Sequence, residues 1–303
     1  MKRKILIATS SFANADNLPL RRLIESGYDI IINPYGRKLT KDELLDLLPG
    51  VVGIISGLEP LTKDVLEKTD LKVISRCGVG VDNIDLSVAS DFNIKVFTTP
   101  DGPTMAVAEL TVGMMIMLGR KVCQMDQALH AGIWDKQTGF QLYEKNIVVI
   151  GFGRIGQKVV ELLRPFNPRI IVVDPFNDKS SSDVVYQSLE TALPIADIVT
   201  LHANSGQEII GEKEFGLMKH GTYLINAGRG ILINHSGLIK ALEEGVISGG
   251  WIDTFLQEPY HGELCRFPQV ILTPHIATYA SQCRKAMEMS AVENLLLGLS
   301  ENI

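Results

Sequence analysis

Residues Asn146 to Asp174 read NIVVIGFGRIGQKVVELLRPFNPRIIVVD: an apolar run, a GxGxxG loop, a helical pattern, a second apolar run and a terminal acid. This order is typical of a βαβ unit that binds a dinucleotide. Gly151 permits the tight turn after the strand, Gly153 lets the backbone approach a pyrophosphate, and Gly156 lets the helix pack close to the sheet. The pyrophosphate is expected at the N-terminus of that helix.

The acid that closes the second apolar run indicates which dinucleotide is bound. A carboxylate at the position of Asp174 accepts hydrogen bonds from a ribose 2′-hydroxyl and repels a 2′-phosphate. The residues that follow, PFND, supply no arginine for a 2′-phosphate, and Lys179 is the nearest cation. The sequence therefore predicts NAD as the cofactor.

Length and charge restrict the class of protein. The chain has 303 residues, enough for two domains that each bury a core, and a net charge of -6 without an extended basic block. Nucleic-acid binding through a basic surface is therefore not expected. The longest apolar stretch, LTVGMMIMLG from Leu110, is about half of what a membrane span needs, so we expect a cytoplasmic protein without membrane association.

The cysteines give no sign of a metal site or of a disulfide framework. No CxxC motif and no nearby pair of histidines accompanies them. We expect reduced, mostly buried thiols at Cys77, Cys123, Cys265 and Cys283.

The segments on either side of the glycine loop alternate between strand-like and helix-like patterns. Such alternation predicts parallel sheets covered by helices, and Thr40 and Glu43 form a predicted capping box on one early helix. A long apolar helix is predicted from Thr104 through MAVAELTVGMMIMLGRKVCQMDQAL, with another subunit packed against it. The final helix, SQCRKAMEMSAVENLLLGL, follows the last predicted strand and is expected to return to the first sheet.

Together these patterns predict an α/β protein with two doubly wound parallel-sheet domains. A Rossmann NAD domain of residues 99–280 is inserted into a flavodoxin-like substrate domain of residues 1–98 and 281–303.

Three charged or titratable residues follow predicted strands of the second domain, where open α/β sheets bind ligands: Arg229, Glu258 and His275. Hydride exchange with a secondary alcohol leaves one proton to be moved at the oxygen, and histidine suits that role near neutral pH. A carboxylate beside the imidazole favours its protonated form and fixes its tautomer, which assigns Glu258. Arginine can bind a carboxylate with two hydrogen bonds, so Arg229 indicates a 2-hydroxy or 2-oxo acid.

At this point the chain resembles the D-isomer-specific 2-hydroxyacid dehydrogenases over nearly its whole length. In its details it is most similar to the phosphoglycerate dehydrogenase branch without a regulatory domain. The matching stretches are LKVISRCGVGVDNIDL (71–86), TPDGPTMAVAEL (99–110), GFGRIG (151–156), LMKHGTYLINAGRG (217–230), IDTFLQEP (252–259) and LTPHIA (272–277). The resemblance implies the same triad, with His275 as proton donor, Glu258 as its partner and Arg229 on the substrate.

The resemblance also implies roles that the pattern alone does not provide. It places the backbone of Val79 and Gly80 near the substrate carboxylate and Asp253 on the nicotinamide carboxamide. It places Arg154 and Ile155 on the pyrophosphate, and homodimers built through the helix 104–118. Further residues are expected along the cofactor cleft: Thr104, His202, Ala203, Ala227 and Thr278. Ser56 and Gly57 follow a predicted strand and are also expected to face the substrate.

Some positions depart from the family pattern. The usual H-x-P reads His202-Ala203-Asn204, a usual acidic pair reads Asn234-His235, and the usual DVF reads Asp253-Thr254-Phe255. Met105 and Trp251 also differ from expectation, and the sequence offers no physical account of either. None of these departures removes a catalytic group.

The sequence leaves the substrate and the direction of reaction open. The leading hypothesis is a D-2-hydroxyacid dehydrogenase, with 3-phosphoglycerate as one candidate substrate. A glyoxylate or hydroxypyruvate reductase is the alternative with the same chemistry, and an NAD(H)-sensing scaffold or corepressor is the alternative of another class. Arg37 and Lys38 could reach a substrate phosphate or could be solvated turn residues.

Overall fold

The computed structural model describes residues 3–176 and 184–301, so Lys179 lies outside the described residues. The chain forms two compact units. One comprises Met1–Pro103 with Tyr279–Ile303, and the other comprises Thr104–Thr278. Within the described ranges, no helix has the length and apolar character that crossing a membrane requires.

The first unit is a parallel sheet with the strand order β2-β1-β3-β4-β5 among its described residues. This is the flavodoxin-like order, and the prediction for this unit is confirmed. Its strands are β1 (Lys4–Ile7), β2 (Asp29–Ile32), β3 (Val51–Ser56), β4 (Val73–Arg76) and β5 (Lys95–Phe97). Its helices are α1 (Leu18–Ile24), α2 (Lys41–Leu47), α3 (Lys63–Leu66), α4 (Leu86–Asp91) and α11 (Ser281–Ser300). The predicted capping box of Thr40 and Glu43 begins α2.

The last helix of the chain, α11, packs on β3 and β4 of this first sheet. Glycines at the contact allow the close approach: a side chain on Gly53 would press on Leu295, and one on Gly298 would press on Val73. The Ser75 hydroxyl also donates to the Ala291 carbonyl at 2.7 Å. The final helix is therefore part of the core of the first unit.

The second unit is a parallel sheet with the order β12-β11-β10-β9-β6-β7-β8 among its described residues. This is the Rossmann order with one strand added at an edge, as the glycine loop predicts. Its strands are β6 (Asn146–Ile150), β7 (Arg169–Val173), β8 (Val185–Tyr186), β9 (Ile198–Leu201), β10 (Thr222–Asn226), β11 (Ile247–Ile252) and β12 (Val270–Leu272). Its helices are α5 (Pro103–Gly119), α6 (Val122–His130), α7 (Arg154–Leu163), α8 (Leu189–Ala192), α9 (Glu212–Leu217) and α10 (His235–Glu243), and α5 begins one residue before the unit does.

The predicted single helix after Thr104 is two helices, and that prediction was wrong. The Gly119 carbonyl accepts the Phe140 amide at 2.7 Å, and Lys121 adopts a left-handed conformation with φ 53°. A residue in this conformation ends an α-helix, so a second helix, α6, starts at Val122.

The four cysteines are free thiols that differ in exposure. Cys77 and Cys283 are buried, Cys123 is half-buried, and Cys265 is exposed. The expectation of mostly buried thiols therefore does not hold for Cys123 and Cys265. Burial raises the pKa of the Cys77 thiol to about 11. Cys77 therefore stays protonated at neutral pH, as a packing residue does.

Candidate active site

The glycine loop joins β6 to α7 at the carboxyl edge of the second sheet. Gly151 has φ 89°, and a Cβ there would lie 2.5 Å from the Ala203 amide nitrogen. A Cβ on Gly156 would overlap the Gly151 carbonyl, whereas the space beside Gly153 is open. The loop thus leaves room for a ligand at the middle glycine and at the N-terminus of α7, which fits the pyrophosphate of NAD.

Asp174 follows β7 and is bonded to the same loop. Its Oδ2 accepts the Phe152 amide at 2.6 Å, and its Oδ1 accepts the Phe176 amide at 2.8 Å. A carboxylate has about four acceptor positions, so these two bonds leave capacity for ribose hydroxyls. The bonds fix the carboxylate beside the glycine loop, where the adenosine ribose is expected.

The turn that carries Arg229 is held by the side chain of Asn226, the last residue of β10. The Asn226 Nδ2 donates to the Arg229 carbonyl at 2.9 Å, and its Oδ1 accepts the Gly228 amide at 3.1 Å. Asn226 is 1% exposed. The Arg229 guanidinium donates to the Gly228 carbonyl at 3.0 Å. This buried amide therefore fixes the turn that presents the arginine.

Asp253 follows β11 and is fully buried. Its carboxylate accepts the Thr273 hydroxyl at 2.5 Å and the amides of Ile276 and Ala277, each at 2.9 Å. These donors flank His275, which adopts the left-handed conformation with φ 55°. In this structure Asp253 organises the loop of the histidine.

His275 and Glu258 form a direct pair. The His275 Nδ1 lies 3.0 Å from Oε2 and 3.2 Å from Oε1 of Glu258. The Phe255 amide donates to the same Oε1 at 3.1 Å. The imidazole side chain is 35% exposed and the carboxylate 23%, so both groups border solvent. Because Nδ1 is engaged by the carboxylate, Nε2 is the ring nitrogen left to meet a substrate.

The turn of Arg229 and the loop of Glu258 touch each other. A Cβ on Gly230 would overlap the backbone of Phe255 and Leu256. Only glycine fits at this contact. The structure therefore brings the elements that carry the three predicted catalytic residues together at the carboxyl edge of one sheet.

His202 follows β9 on the same edge. Its Nε2 lies 2.9 Å from the Thr200 hydroxyl, and its Nδ1 is buried without a hydrogen-bond partner among the described residues. Burial lowers the pKa of His202 from 6.5 to about 4. The imidazole is therefore neutral at physiological pH.

The remaining predicted cofactor residues differ in exposure. Arg154 is exposed at the start of α7, with Ile155 half-buried beside it. Thr104 lies in the first turn of α5. Ala203, Ala227 and Thr278 are half-buried and follow β9, β10 and β12 respectively.

Two predicted substrate residues of the first unit lie at the end of β3. The Gly57 amide already donates to Oε2 of the buried Glu59 at 2.5 Å, so this amide is engaged within the unit. Burial raises the pKa of the Glu59 carboxyl. The Ser56 hydroxyl is buried and has no partner among the described residues.

The loop of Val79 and Gly80 follows β4 and is organised by Arg76. The Arg76 guanidinium donates to the Cys77 carbonyl at 2.5 Å and to the Gly80 carbonyl at 3.1 Å. These bonds turn two carbonyls toward the arginine. Val79 is exposed at the tip.

Arg37 and Lys38 are exposed turn residues. Arg37 donates to both carboxylate oxygens of Glu43, at 2.9 and 2.6 Å. This pairing holds the pKa of Glu43 at about 2. The guanidinium of Arg37 is thus bonded to α2, which favours the interpretation of Arg37 and Lys38 as solvated turn residues.

Sequence reasoning missed the residues that support the site. Asn226, Thr273 and Trp251 have no local pattern that reveals their roles. The Trp251 indole donates to the Thr273 hydroxyl at 2.7 Å, and Thr273 in turn donates to Asp253. This chain of hydrogen bonds supplies the physical account of Trp251 that the sequence lacks.

Comparison with known proteins agrees with the fold and the motifs. The profile of the D-isomer specific 2-hydroxyacid dehydrogenase, NAD binding domain, matches residues 112–277. The D-3-phosphoglycerate dehydrogenase of Methanocaldococcus jannaschii is 37% identical over 88% of this chain, which spans 54% of that protein, about half its length. The hydroxypyruvate reductase of Thermotoga maritima is 32% identical over 85% of this chain and 88% of its own length.

A solved structure is similar in fold over nearly the full length of the chain. The TT0316 protein from Thermus thermophilus superimposes with a TM-score of 0.90 at 31% identity, over 98% of this chain and 97% of that one.

The lowered pKa of His202, a half-buried residue whose Nδ1 is buried, predicts a pH dependence of stability. The unfolded state binds a proton below pH 6.5, whereas the folded state does so only near pH 4, so the free energy of unfolding falls as the pH falls through this range. Between pH 7 and pH 5 the wild type should lose about 2 kcal/mol more than His202→Gln. Urea unfolding without cofactor at both pH values measures the difference.

His130→Gln removes an exposed histidine and is the matched control, which should keep the wild-type dependence. Equal pH slopes for the wild type and His202→Gln would contradict the assignment.

Proposed function

Since the chain belongs to the D-isomer specific 2-hydroxyacid dehydrogenase family, we propose that it is an NAD-dependent oxidoreductase acting at C2 of a D-2-hydroxy acid or the matching 2-oxo acid. The observation that supports this most is the pair of His275 and Glu258, 3.0 Å apart beside the turn of Arg229. The pair lies on the same sheet edge as the glycine loop. NAD, when bound, accepts or supplies the hydride.

The residues divide the remaining work. In reduction, His275 donates a proton from Nε2 to the carbonyl oxygen of the substrate, and in oxidation it accepts that proton. Glu258 keeps the other ring nitrogen protonated and stabilises the charged imidazole. Arg229 binds the substrate carboxylate and polarises the neighbouring carbonyl.

The two units have separate roles in this proposal. The second unit binds NAD through Gly151, Gly153, Gly156 and Asp174, with further contacts by the other predicted cofactor residues. The first unit contributes substrate contacts by Val79, Gly80, Ser56 and Gly57. Because the Gly57 amide is already bonded to Glu59, it does not donate a hydrogen bond to the substrate. Gly57 contributes instead by leaving space for the substrate.

Two substrate classes fit the chemistry. One relative is named for 3-phosphoglycerate and another for hydroxypyruvate, and both names describe acids with a carboxylate next to the reacting carbon. The pairing of Arg37 with Glu43 engages one candidate phosphate ligand, and this contact favours an unphosphorylated acid. The comparisons give no support to the scaffold or corepressor alternative.

We also propose a cytoplasmic homodimer. Large apolar side chains lie exposed on α5, on α6 and in the segment after them: Met105, Ile116, Val122, Leu129, Ile133 and Trp134. Burial of such a surface against a second copy would stabilise a dimer. The free thiols favour a reducing compartment.

His275→Asn tests the proton-transfer role. Asparagine tolerates the left-handed backbone of this position and keeps the loop in place. Loss of the proton donor should lower kcat by roughly 10²- to 10⁴-fold with a 2-oxo acid such as hydroxypyruvate or glyoxylate. The NADH dissociation constant, measured by fluorescence titration, should stay at the wild-type value. Wild-type turnover in the variant would remove His275 from the mechanism.

Asp174→Ala tests the choice of cofactor. Loss of hydrogen bonds to a charged acceptor should weaken NADH by about 10- to 100-fold, while NADPH binding stays the same or improves. Asp197→Ala is the matched control, because it removes a carboxylate that bonds the Asn146 amide at the amino edge of the same sheet. Equal losses for NADH and NADPH in Asp174→Ala would refute the ribose contact.

A further inference from the structure

Tyr260 lies two residues after Glu258, and its hydroxyl is held in place from several directions. The Leu264 amide donates to Oη at 3.0 Å, and the His235 Nε2 lies 3.3 Å from it. The backbone of Gly262 lies against the phenol, since a Cβ there would come within 2.5 Å of Oη. The end of this side chain is therefore fixed to both α10 and the segment after Tyr260.

The ring of Tyr260 stacks on Phe255, with centroids 4.3 Å apart and planes inclined by 17°. Phe255 is the residue whose amide donates to Oε1 of Glu258 at 3.1 Å. The same oxygen lies 3.2 Å from Nδ1 of His275. A continuous series of contacts thus joins His235, Tyr260, Phe255, Glu258 and His275.

Packing and hydrogen bonds together hold the two stacked rings. Phe255 and Tyr260 pack against the hydrophobic core of the second unit, and with His235 they line a cavity of about 380 Å³. Atoms that border a cavity lack van der Waals partners there, so packing holds them less firmly. The hydrogen bonds of the Tyr260 hydroxyl add a polar anchor to this packing.

We propose that Tyr260 is a positioning residue for the reaction. His235 and the Leu264 amide hold its hydroxyl, its ring holds Phe255, and Phe255 holds the Glu258 carboxylate where it bonds His275. Displacement of Phe255 would let the carboxylate turn away, and the imidazole would lose the partner that fixes its tautomer. The inference rests on the roles proposed for Glu258 and His275.

Two substitutions distinguish the contribution of the Tyr260 ring from that of its hydroxyl. Tyr260→Ala removes the stack and should lower kcat by about 10- to 100-fold, the scale of a misplacement near 1 Å. Tyr260→Phe keeps the stack, loses the anchor and should lower kcat by about 2- to 5-fold. The KM for the 2-oxo acid and the NADH dissociation constant should change by no more than about twofold in both.

Tyr223→Ala is the matched control. Tyr223 forms an edge-on pair with Phe140 in the same unit, with centroids 5.0 Å apart, and lies on β10 away from the loop of Glu258. Tyr223→Ala removes an aromatic contact comparable to the one that Tyr260→Ala removes, and it should leave kcat unchanged. A fall in kcat of equal size in Tyr223→Ala and Tyr260→Ala would show a general loss of packing and overturn the proposal.

A second readout does not depend on turnover. The ¹⁵N NMR signals of the His275 imidazole, identified by their loss in His275→Asn, report the bond to Glu258 directly. They should shift in Tyr260→Ala and, by less, in Tyr260→Phe, and should stay in place in Tyr223→Ala.

The two measurements distinguish failure of the proposed function from failure of the proposed role of Tyr260. Absence of turnover in the wild type with every 2-oxo acid would refute the proposed function, and the imidazole signals would still show whether Tyr260 positions Glu258. Unchanged His275 signals in Tyr260→Ala, with NADH binding intact, would overturn the role of Tyr260.

Discussion

The site depends on one buried carboxylate. An isolated carboxylate away from water costs several kcal/mol or more, and Asp253 offsets this cost with donors from Thr273, Ile276 and Ala277. Charge-assisted hydrogen bonds of this kind contribute about 1.5 to 3 kcal/mol each. Because the donors flank His275, the energy that keeps the carboxylate buried also holds the histidine in its left-handed conformation. The sheet fixes Asp253 in turn, since its amide donates to the Asn226 carbonyl on the neighbouring strand.

Parallel strands make this arrangement possible. Their carboxyl ends meet at one edge, so the loops after separate strands approach each other without long connections. The glycine loop, the turn of Arg229 and the loop of His275 all begin at that edge of the second sheet. Close contacts then set the relative positions of these loops. The clearest contact is at Gly230, where any side chain would overlap the backbone of Phe255 and Leu256. The glycine loop and the pair of His275 and Glu258 are thereby placed on one framework.

Local pattern was enough to predict the glycine loop, the fold class and the capping box at Thr40, because spacing and residue type carry those features. Chemistry alone proposed the pairing of Glu258 with His275, and the structure places the two in contact. The roles of Asn226, Trp251 and Glu59 were not predictable, since each depends on which distant backbone groups the folded chain brings near. The break at Lys121 was missed for the same reason: the Gly119 carbonyl just before it is bonded to Phe140, far along the chain.

The proposed function rests on transfer of a hydride from NADH, bound at this edge of the second sheet, to C2 of a 2-oxo acid. A direct test uses NADH with deuterium at both positions of C4 of the nicotinamide, hydroxypyruvate or glyoxylate as acceptor, and chiral chromatography with mass spectrometry of the product. The proposed function requires one deuterium on C2 of the hydroxy acid formed, and the D configuration in the glycerate formed from hydroxypyruvate. NADH oxidation without deuterium at C2, or no product from any 2-oxo acid although NADH binds, would contradict it.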